Sequence, residues 1–361
     1  MASKANARDY FSAAELGRAR RFRRGQRALM LVGTALDAAV LTTLVRRAEA
    51  IPPTSPAVAA AGLGAALTVL GLPLSAAARE RSIRVGLVTQ SWRGWSADLA
   101  KAQAISAGLS AAGGAVLVAG MRRYGDAWWR PGAGGLVGVG VLSLVAGPTL
   151  LDPIFNRFEP AEPDLAERVA RLAEAAGVPV DRVLIMDASK RTTASNAYVT
   201  GLGPTKRVVL YDTLLRDMSP EEVDFVIAHE LAHVRHRDVL RGLAGLAVAA
   251  PALTWSIARL ARTMNAPADG RALPAVALAA GIVATPFGMV ANFFSRRMER
   301  RADAFAMGLI GDPRTQIAVQ RSLCVRNVAE PEPPRWVRIV FGSHPTTLER
   351  IAMAEARASG S

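Results

Sequence analysis

The segment His229-Glu230-Leu231-Ala232-His233 carries two imidazoles and a carboxylate in the order and spacing of a helical zinc motif. Residues four apart on a helix share a face, so His229 and His233 can bind one metal ion together. Glu230 lies about a quarter-turn round the helix, where it can take a proton from a metal-bound water. The alternative is a chance match on a polar helix, and the surrounding sequence argues against it. The motif therefore predicts a zinc hydrolase.

A catalytic zinc site takes three protein ligands and leaves a fourth position to water. In the longer motif that ends in a third histidine, glycine would stand at position 236 and histidine at 239, but this chain has His236 and Val239. His236 falls within about 20° of His229 on a helical wheel. One straight helix rarely brings three residues over two turns to a single ion, however. We interpret His236 as a partly exposed histidine near the membrane interface, with a ligand role as the alternative.

Two acidic residues in an arginine-rich segment offer a better third ligand. Glu299 is expected in a helix that opens after the last apolar block, and Asp303 lies one turn later on the same face. A ligating histidine usually gives its other ring N–H to a carboxylate, and Asp303 is placed to accept it. Alternatively, both acids only neutralise the surrounding arginines in helix-spaced pairs. We predict one zinc ion per chain, bound by His229, His233 and Glu299.

The composition of the chain indicates that membrane helices position these residues. The chain has 361 residues and is 51% hydrophobic. Its apolar residues come in blocks of about twenty, which match the ~30 Å hydrocarbon core of a bilayer. Asp37, in the first block, either lines a polar interior or lies near an interface. The blocks are Ala28–Val45, Ala57–Ala78, Ala102–Met121, Gly132–Leu151, Leu243–Leu260 and Leu273–Phe294.

The net charge of +14 would favour nucleic acid as a partner of a soluble protein. Here the arginines cluster beside the apolar blocks, where anionic lipid headgroups and the positive-inside rule explain them, so we predict membrane lipids and no nucleic acid as partners.

The basic region before the first block is too long for a signal peptide, and the block itself is too long for a signal-peptide core, so an uncleaved span is expected. The lone cysteine, Cys324, excludes an internal disulfide and a cysteine-built zinc site.

The arginines that precede the first block and those that follow the last one predict that both termini are cytoplasmic. Six spans then place the histidine motif in the cytoplasm as well. We predict a multi-pass protein of a cell membrane, and the richness in Ala, Arg and Gly favours a bacterial plasma membrane. Five regions are expected: a basic N-terminus (1–27), a four-span membrane region (28–151), a catalytic insert (152–242), a two-span region (243–294) and a C-terminal helical region that supplies the third ligand (295–361).

Within the insert, apolar residues at helical spacing predict a helix that ends at Gly177. Short strands are expected at Arg182–Met186, Ser195–Thr200 and Arg207–Tyr211, with turn chemistry in Gly201-Leu202-Gly203-Pro204. Ser219 as N-cap, Pro220 at the first position and Glu222 in a capping box predict the start of the motif helix. We expect that helix to continue toward the fifth span. The predicted fold class is mainly α, a polytopic helical membrane protein of about six spans with a cytoplasmic zincin-like α+β catalytic domain.

These motifs together resemble the integral-membrane zinc metalloproteases of the CAAX prenyl protease type and the related HtpX-type proteases. The resemblance covers roughly residues 85 to 355. It is carried by His229–His233, by Ser195-Asn196-Ala197-Tyr198-Val199 and by the segment from Ser295 to Asp303. Weaker support comes from Pro153-Ile154-Phe155-Asn156-Arg157-Phe158 and from Ser343-His344-Pro345 with Arg350.

The resemblance implies a role for each matching residue. His229, His233 and Glu299 would bind zinc, Glu230 would be the general base, and Asp303 would orient a ligand. Asn196, Ala197 and Tyr198 would lie on an edge strand that pairs with an extended substrate, and Arg350 would assist in substrate binding. His344 would donate a hydrogen bond to the oxyanion of the tetrahedral intermediate. The alternatives are a turn residue for Asn196 and a structural histidine before a proline turn for His344.

The sequence departs from the pattern of these proteases in two ways, and both leave the identity of the substrate undetermined. Similar enzymes often have a second proline after His344-Pro345, where this chain has Thr346, and the eukaryotic prenyl proteases look like seven-span proteins. We expect a peptide or protein substrate that is membrane-associated or lipidated, cut in a CAAX-processing-like manner. The alternatives are quality control of damaged membrane proteins and, from other classes, a non-catalytic zinc-binding scaffold or a transporter. Glu230 argues against a pure metal-binding role, because such a site needs no acid beside its first histidine.

Overall fold

The computed structural model describes residues 5–201, 206–265 and 267–359, and most of these are helical. The α-helices are α1 Ala7–Tyr10, α2 Ala13–Arg46, α3 Pro56–Arg84, α4 Trp92–Tyr124, α5 Trp129–Ala146, α6 Asp152–Phe155, α7 Pro163–Ala175, α8 Asp212–Asp217, α9 Pro220–Arg235, α10 Asp238–Thr263, α11 Leu273–Ile310, α12 Pro313–Arg326, α13 Arg335–Phe341 and α14 Thr347–Ser359. The strands are β1 Phe158–Pro160, β2 Arg182–Met186, β3 Ala197–Thr200 and β4 Arg207–Tyr211.

Six helical segments of the described chain are long and apolar enough to cross a membrane, which confirms the prediction of six spans. They are α2, α3, α4, α5 with the short turns after it, α10 and α11. At most 28% of the residues in any of their apolar windows are buried inside the protein, as expected of helices that face lipid rather than a protein core. The chain is a multi-pass membrane protein. Asp37 is exposed on the surface of α2.

The soluble insert folds around a four-stranded mixed sheet with the strand order β1-β2-β4-β3. β2 pairs with β4 in parallel, and β3 pairs with β4 antiparallel, so that β3 forms an edge of the sheet. The sequence predicted the bounds of β2 and β4, placed the start of β3 two residues early and missed β1. The turn expected at 201–204 lies mostly outside the described residues, because 202–205 are not described.

Helix α9 carries the histidine motif and lies between the sheet and α11. Its start follows the predicted signals, because the Ser219 side chain accepts from the Glu222 N–H and the Glu222 carboxylate accepts from the Ser219 N–H. Ile227 and Leu231 are fully buried in the core against the sheet, and burying such side chains contributes roughly 1.5–3 kcal/mol each. Residues two further along lie about 200° round the helix. His229 therefore faces away from the sheet.

Two helix boundaries differ from those expected. The motif helix does not continue into the fifth span: it ends at Arg235, and Arg237 adopts a left-handed conformation with φ 56° before α10 begins at Asp238. Conversely, Glu299 does not open a new helix, because α11 continues unbroken from the sixth span to Ile310. No Gly or Pro stands between Phe294 and Glu299 to stop it, and Gly311 ends it at φ 80°.

The residues at the start of α2 pack against the C-terminal helices. Phe11 and Leu16, at the start of the first helical span, pack in one cluster with Cys324, Leu348 and Ile351 of the C-terminal helices. The Tyr10 hydroxyl donates to the Glu355 carboxylate, and Arg27 forms an ion pair with Glu330. These contacts fix the N-terminal end of α2 against α12 and α14.

Candidate metal centre and active site

His229, His233 and Glu299 bring their ligand atoms together at the contact between α9 and α11. The two histidines lie one turn apart on α9, with 3.2 Å between their Nε2 atoms. Glu299 Oε2 lies 3.3 Å from His229 Nε2, and Glu299 Oε1 lies 3.5 Å from His233 Nε2. One ligand atom from each residue lies within 4.8 Å of the others, so that a single ion can contact all three.

A carboxylate faces the second ring nitrogen of each histidine. His229 Nδ1 lies 3.0 Å from Asp303 Oδ1, and His233 Nδ1 lies 2.9 Å from Asp238 Oδ2. Each carboxylate stabilises a proton on Nδ1, and a neutral imidazole with that proton directs the lone pair of Nε2 inward. The centre then contains two imidazole lone pairs and a carboxylate at short distances, an arrangement that a cation stabilises.

The residues present fit a divalent metal ion. Glu299 Oε2 is buried and receives no hydrogen bond from the described residues, and a buried carboxylate oxygen without a donor is costly unless a cation neutralises it. Burial lowers the pKa of His229, but hydrogen bonds to the carboxylates of Asp303 and Glu299 outweigh it and raise that pKa to about 9. Two imidazole nitrogens and a carboxylate are the ligand set of many catalytic zinc sites.

Glu230 lies between the two histidines in sequence and is partly exposed. Burial of its carboxyl raises its pKa, while the neighbouring His229 and His233 lower it and Glu299 raises it. A raised pKa suits a group that must accept a proton and later return it near neutral pH.

His344 reaches the same centre from the loop between α13 and α14. Its Nε2 lies 3.3 Å from Glu299 Oε1, and its Nδ1 lies 2.8 Å from the Ser343 hydroxyl. Burial lowers the pKa of His344, which favours the neutral imidazole. Two groups of α11 hold this loop and the end of α13 before it: the Asn292 amide donates to the Val340 carbonyl at 2.8 Å, and Arg296 donates to the Gly342 carbonyl.

Asn196, Ala197 and Tyr198 lie at the edge strand β3. Asn196 is exposed, and Ala197 is buried in the core that also contains Ile227 of α9. Tyr198 faces the opposite side of the sheet, where its hydroxyl donates to Asp152 at 3.2 Å. The strand therefore packs beside the motif helix with one edge unpaired in the sheet order of the described residues.

Two further residues singled out in the sequence lie apart from the ligand atoms. The Arg350 guanidinium is held by both oxygens of the buried Asp303, with Nε donating at 2.7 Å, so its contact with the centre runs through that carboxylate. His236 caps the C-terminus of α9, and its ring packs edge-on against Phe305 at 5.6 Å.

Asp238 was missed by the sequence reasoning. It is the first residue of α10, is 7% exposed, and contacts both His233 and the guanidinium of Arg301. The signal for it was weak: an acidic residue five positions after the second histidine, in a segment that was assigned to one continuous helix. Because the helix breaks at Arg237, Asp238 can contact His233. It lies against the Nδ1 atom of His233, as Asp303 lies against the Nδ1 atom of His229.

The chain is similar in sequence to a known peptidase family and to several known proteins. A model of the family described as Peptidase family M48 matches residues 159–358. An uncharacterized metalloprotease of Bacillus subtilis, YhfN, is 30% identical over 299 residues, which are 80% of this chain and 70% of the relative. A CAAX prenyl protease 1 homolog of Dictyostelium discoideum is 32% identical over 48% of this chain and 44% of its own length.

A second sequence relative and a solved structure extend the comparison. A protease HtpX homolog of Prosthecochloris aestuarii is 31% identical over 53% of this chain and 71% of its own length. The crystal structure of S. mikatae Ste24p superposes with a TM-score of 0.82, covering 98% of this chain and 92% of that one at 20% sequence identity. At 20% sequence identity, this structural similarity shows that the two proteins share a fold.

Proposed function

Because this chain belongs to peptidase family M48, we propose that His229, His233 and Glu299 hold one zinc ion in an active site that hydrolyses peptide bonds. Membership makes the protein a metalloendopeptidase of the membrane that acts on peptides or proteins. The observation that carries the residue assignment is the convergence of these three ligand atoms within 4.8 Å, with a carboxylate behind each histidine.

Each residue has a separable role in this proposal. When bound, zinc acts as a Lewis acid that polarises a carbonyl oxygen and lowers the pKa of a water molecule to about 7. Asp303 and Asp238 hold the two imidazoles with the proton on Nδ1 and the lone pair of Nε2 toward the ion. A carboxylate oxygen of Glu230 takes the proton of the attacking water and then passes it to the amide nitrogen that leaves.

His344 is proposed to stabilise the charge that develops on the substrate carbonyl oxygen. The Ser343 hydroxyl lies 2.8 Å from His344 Nδ1 and can donate to it. That hydrogen bond leaves the ring proton on Nε2, the atom that lies beside Glu299 at the centre. An N–H that points into the site in this way can donate to an oxyanion.

The substrate is proposed to bind as an extended strand along β3, because a sheet edge offers free backbone groups to an extended peptide. Ala197 contributes to the core that holds α9, so a peptide on this edge runs beside the helix that carries Glu230. Asn196 is exposed, and the partly exposed Tyr198 contacts Asp152 on the face of the sheet opposite Ala197. We place Arg350 behind the centre as the partner of Asp303, from which it can influence substrate binding only indirectly.

A metal-reconstitution assay tests the proposed function. The purified protein in detergent should cleave an unstructured peptide, lose that activity in a chelator, and regain it with about one equivalent of zinc. Activity that survives complete metal removal would contradict the assignment. Comparing a farnesylated peptide with an unfolded membrane protein then separates two substrate classes, because the chain has relatives named CAAX prenyl protease 1 and relatives named HtpX.

We also propose that both termini and the centre lie in the cytoplasm. The arginines at the N-terminal end of α2 and those that follow Phe294 in α11 lie on the same side of the six spans, the side that carries the catalytic region. The positive-inside rule assigns that side to the cytoplasm.

A further inference from the structure

The side chain of Asn327 pairs with the backbone of Ser195, just before the edge strand. The Ser195 N–H donates to Asn327 Oδ1 at 3.2 Å, and Asn327 Nδ2 lies 3.5 Å from the Ser195 carbonyl oxygen. An amide that contacts both the N–H and the C=O of one residue makes the two contacts that a residue of a neighbouring antiparallel strand would make. Asn327 thus takes the place of one residue of a pairing strand.

The alternation of β3 shows which of its backbone groups face the free edge. The Tyr211 N–H donates to the Asn196 carbonyl at 3.1 Å, so Asn196 and every second residue after it direct their backbone groups toward β4. Ser195, Ala197 and Val199 therefore direct theirs to the opposite side. Asn327 satisfies the first of these three positions, and among the described residues Ala197 and Val199 remain available to an added strand.

The loop that presents Asn327 is held in an unfavourable conformation. Asn327 is the C-cap of α12, and the next residue, Val328, has φ 45°, a left-handed conformation that normally requires glycine. The Val328 N–H donates to Val325 and the Ala329 N–H donates to Cys324, which completes a Schellman motif. A β-branched residue in this conformation persists only where the surroundings impose it, and such strain often marks a functional position.

The surroundings that impose it come from the first membrane helix and from the motif helix. Arg23 of α2 donates from Nε to the Val328 carbonyl at 2.8 Å and from a terminal nitrogen to the Asn327 carbonyl at 2.6 Å. At its other face, α12 is tied to the start of α9, where the Ser322 hydroxyl donates to the Glu222 carboxylate at 2.6 Å. The position of Asn327 is therefore fixed relative to both Ser195 and the helix that carries the proposed base.

We infer that Asn327 is a positioning residue that sets the register of the substrate strand on β3. The inference rests on the proposed function, because it requires that an extended substrate pairs with this edge. Asn327 closes the edge at Ser195, so that the peptide must begin its pairing at Ala197. A strand keeps the same face toward its neighbours only when it slips by two residues. Fixing the end of the edge therefore fixes which peptide bond reaches the metal centre.

The test is the position of cleavage in the full-length protein. First, the wild type digests a reduced, carboxymethylated protein, and the products identify a peptide segment that is cut at one bond. That peptide is then synthesised and used as the substrate. We expect Asn327→Ala to cut it additionally two residues from the original bond, because Ser195 becomes available for pairing. Val328→Gly is the matched control: it relieves the strained residue but keeps the amide, and should cut at the original bond alone.

Hydrogen exchange gives a readout that does not require turnover. In the inactive Glu230→Gln background the bound peptide should protect the amides of Ala197 and Val199. With Asn327→Ala added, the Ser195 amide should exchange rapidly without peptide and become protected when peptide binds. Unchanged cleavage, or a Ser195 amide that peptide does not protect in this variant, would refute the register role. A wild type without metal-dependent cleavage would instead refute the proposed function.

Discussion

The two histidines of the centre are supported by carboxylates from two different helices. Asp303 of α11 lies against His229, and Asp238 of α10 lies against His233. Each of these acids also binds an arginine, Arg350 and Arg301 respectively. Because both carboxylates are neutralised on their outer side, they can remain charged while buried beside the proposed ligands. The centre is thus held by charge pairs that extend outward from it.

Substitution of Glu230 should separate metal binding from catalysis. In Glu230→Gln the side chain keeps its size but can no longer accept a proton. We expect the variant to retain about one equivalent of metal and to lose roughly 10²–10⁴-fold in turnover, the usual contribution of a general base. Metal analysis and peptide cleavage on the same preparation check this. A fully active variant would end the general-base assignment.

A pair of substitutions distinguishes the third ligand from its rival. Glu299→Gln removes the carboxylate that lies 3.3 Å from His229 Nε2, and it should abolish stoichiometric metal binding. His236→Ala changes a histidine that packs against Phe305 at the end of α9, and it should leave the metal content unchanged. Metal content after dialysis against a weak chelator measures both. Retention of metal in the first variant with loss in the second would reverse the assignment.

The break between α9 and α10 determines where Asp238 can act. If the motif helix continued straight, residue 238 would lie five positions beyond His233, about 140° round the helix axis. The left-handed conformation of Arg237 turns the chain so that Asp238 returns to His233 Nδ1 at 2.9 Å. A non-glycine residue at such a φ is stabilised by tertiary contacts, here the contacts of Asp238 with His233 and Arg301.

Asp238→Asn should weaken metal binding without removing a ligand. The amide can no longer stabilise the Nδ1 proton of His233 electrostatically, and loss of such a partner typically costs 10–100-fold in metal affinity or activity. Asp126→Asn is the matched control, because Asp126 is exposed in the turn between α4 and α5 and pairs only with Arg262 in the described structure. Competition with a zinc indicator dye measures both affinities. Equal affinities would show that Asp238 has no role at the centre.

The sequence correctly predicted those helix and strand boundaries that are set by residues close to one another in the chain. Ser219, Pro220 and Glu222 act within four residues, and the helix starts where they predict. The break at Arg237 has no such signal, because neither Gly nor Pro stands there and its cause is a contact between helices. For the same reason Asp238 and Asn327 were missed, whereas His229 and His233 are marked by their spacing. That these residues bind zinc stays a prediction.

At the scale of the whole molecule, the soluble insert is attached to the membrane region at several points. The loop between α3 and α4 pairs with the segment before β3, where the Thr89 N–H donates to the Arg191 carbonyl and the Thr193 N–H donates to the Leu87 carbonyl. Arg23 of the first span holds the loop of Asn327 from the other side. The proposed substrate edge is therefore anchored to membrane helices at its base, so we expect an extended substrate to bind close to the bilayer surface.

The contacts between the chain's ends give the orientation a specific test. Because Tyr10 contacts Glu355, the N-terminus and the C-terminal helices share one side of the membrane, and the arginine distribution predicts that this side is cytoplasmic. In a Cys324→Ala background, single cysteines replace Thr54, Asp126 or Glu221, which are all exposed. A membrane-impermeant maleimide should label the first two in intact cells and Glu221→Cys only after permeabilisation. The reverse pattern would place the catalytic region outside.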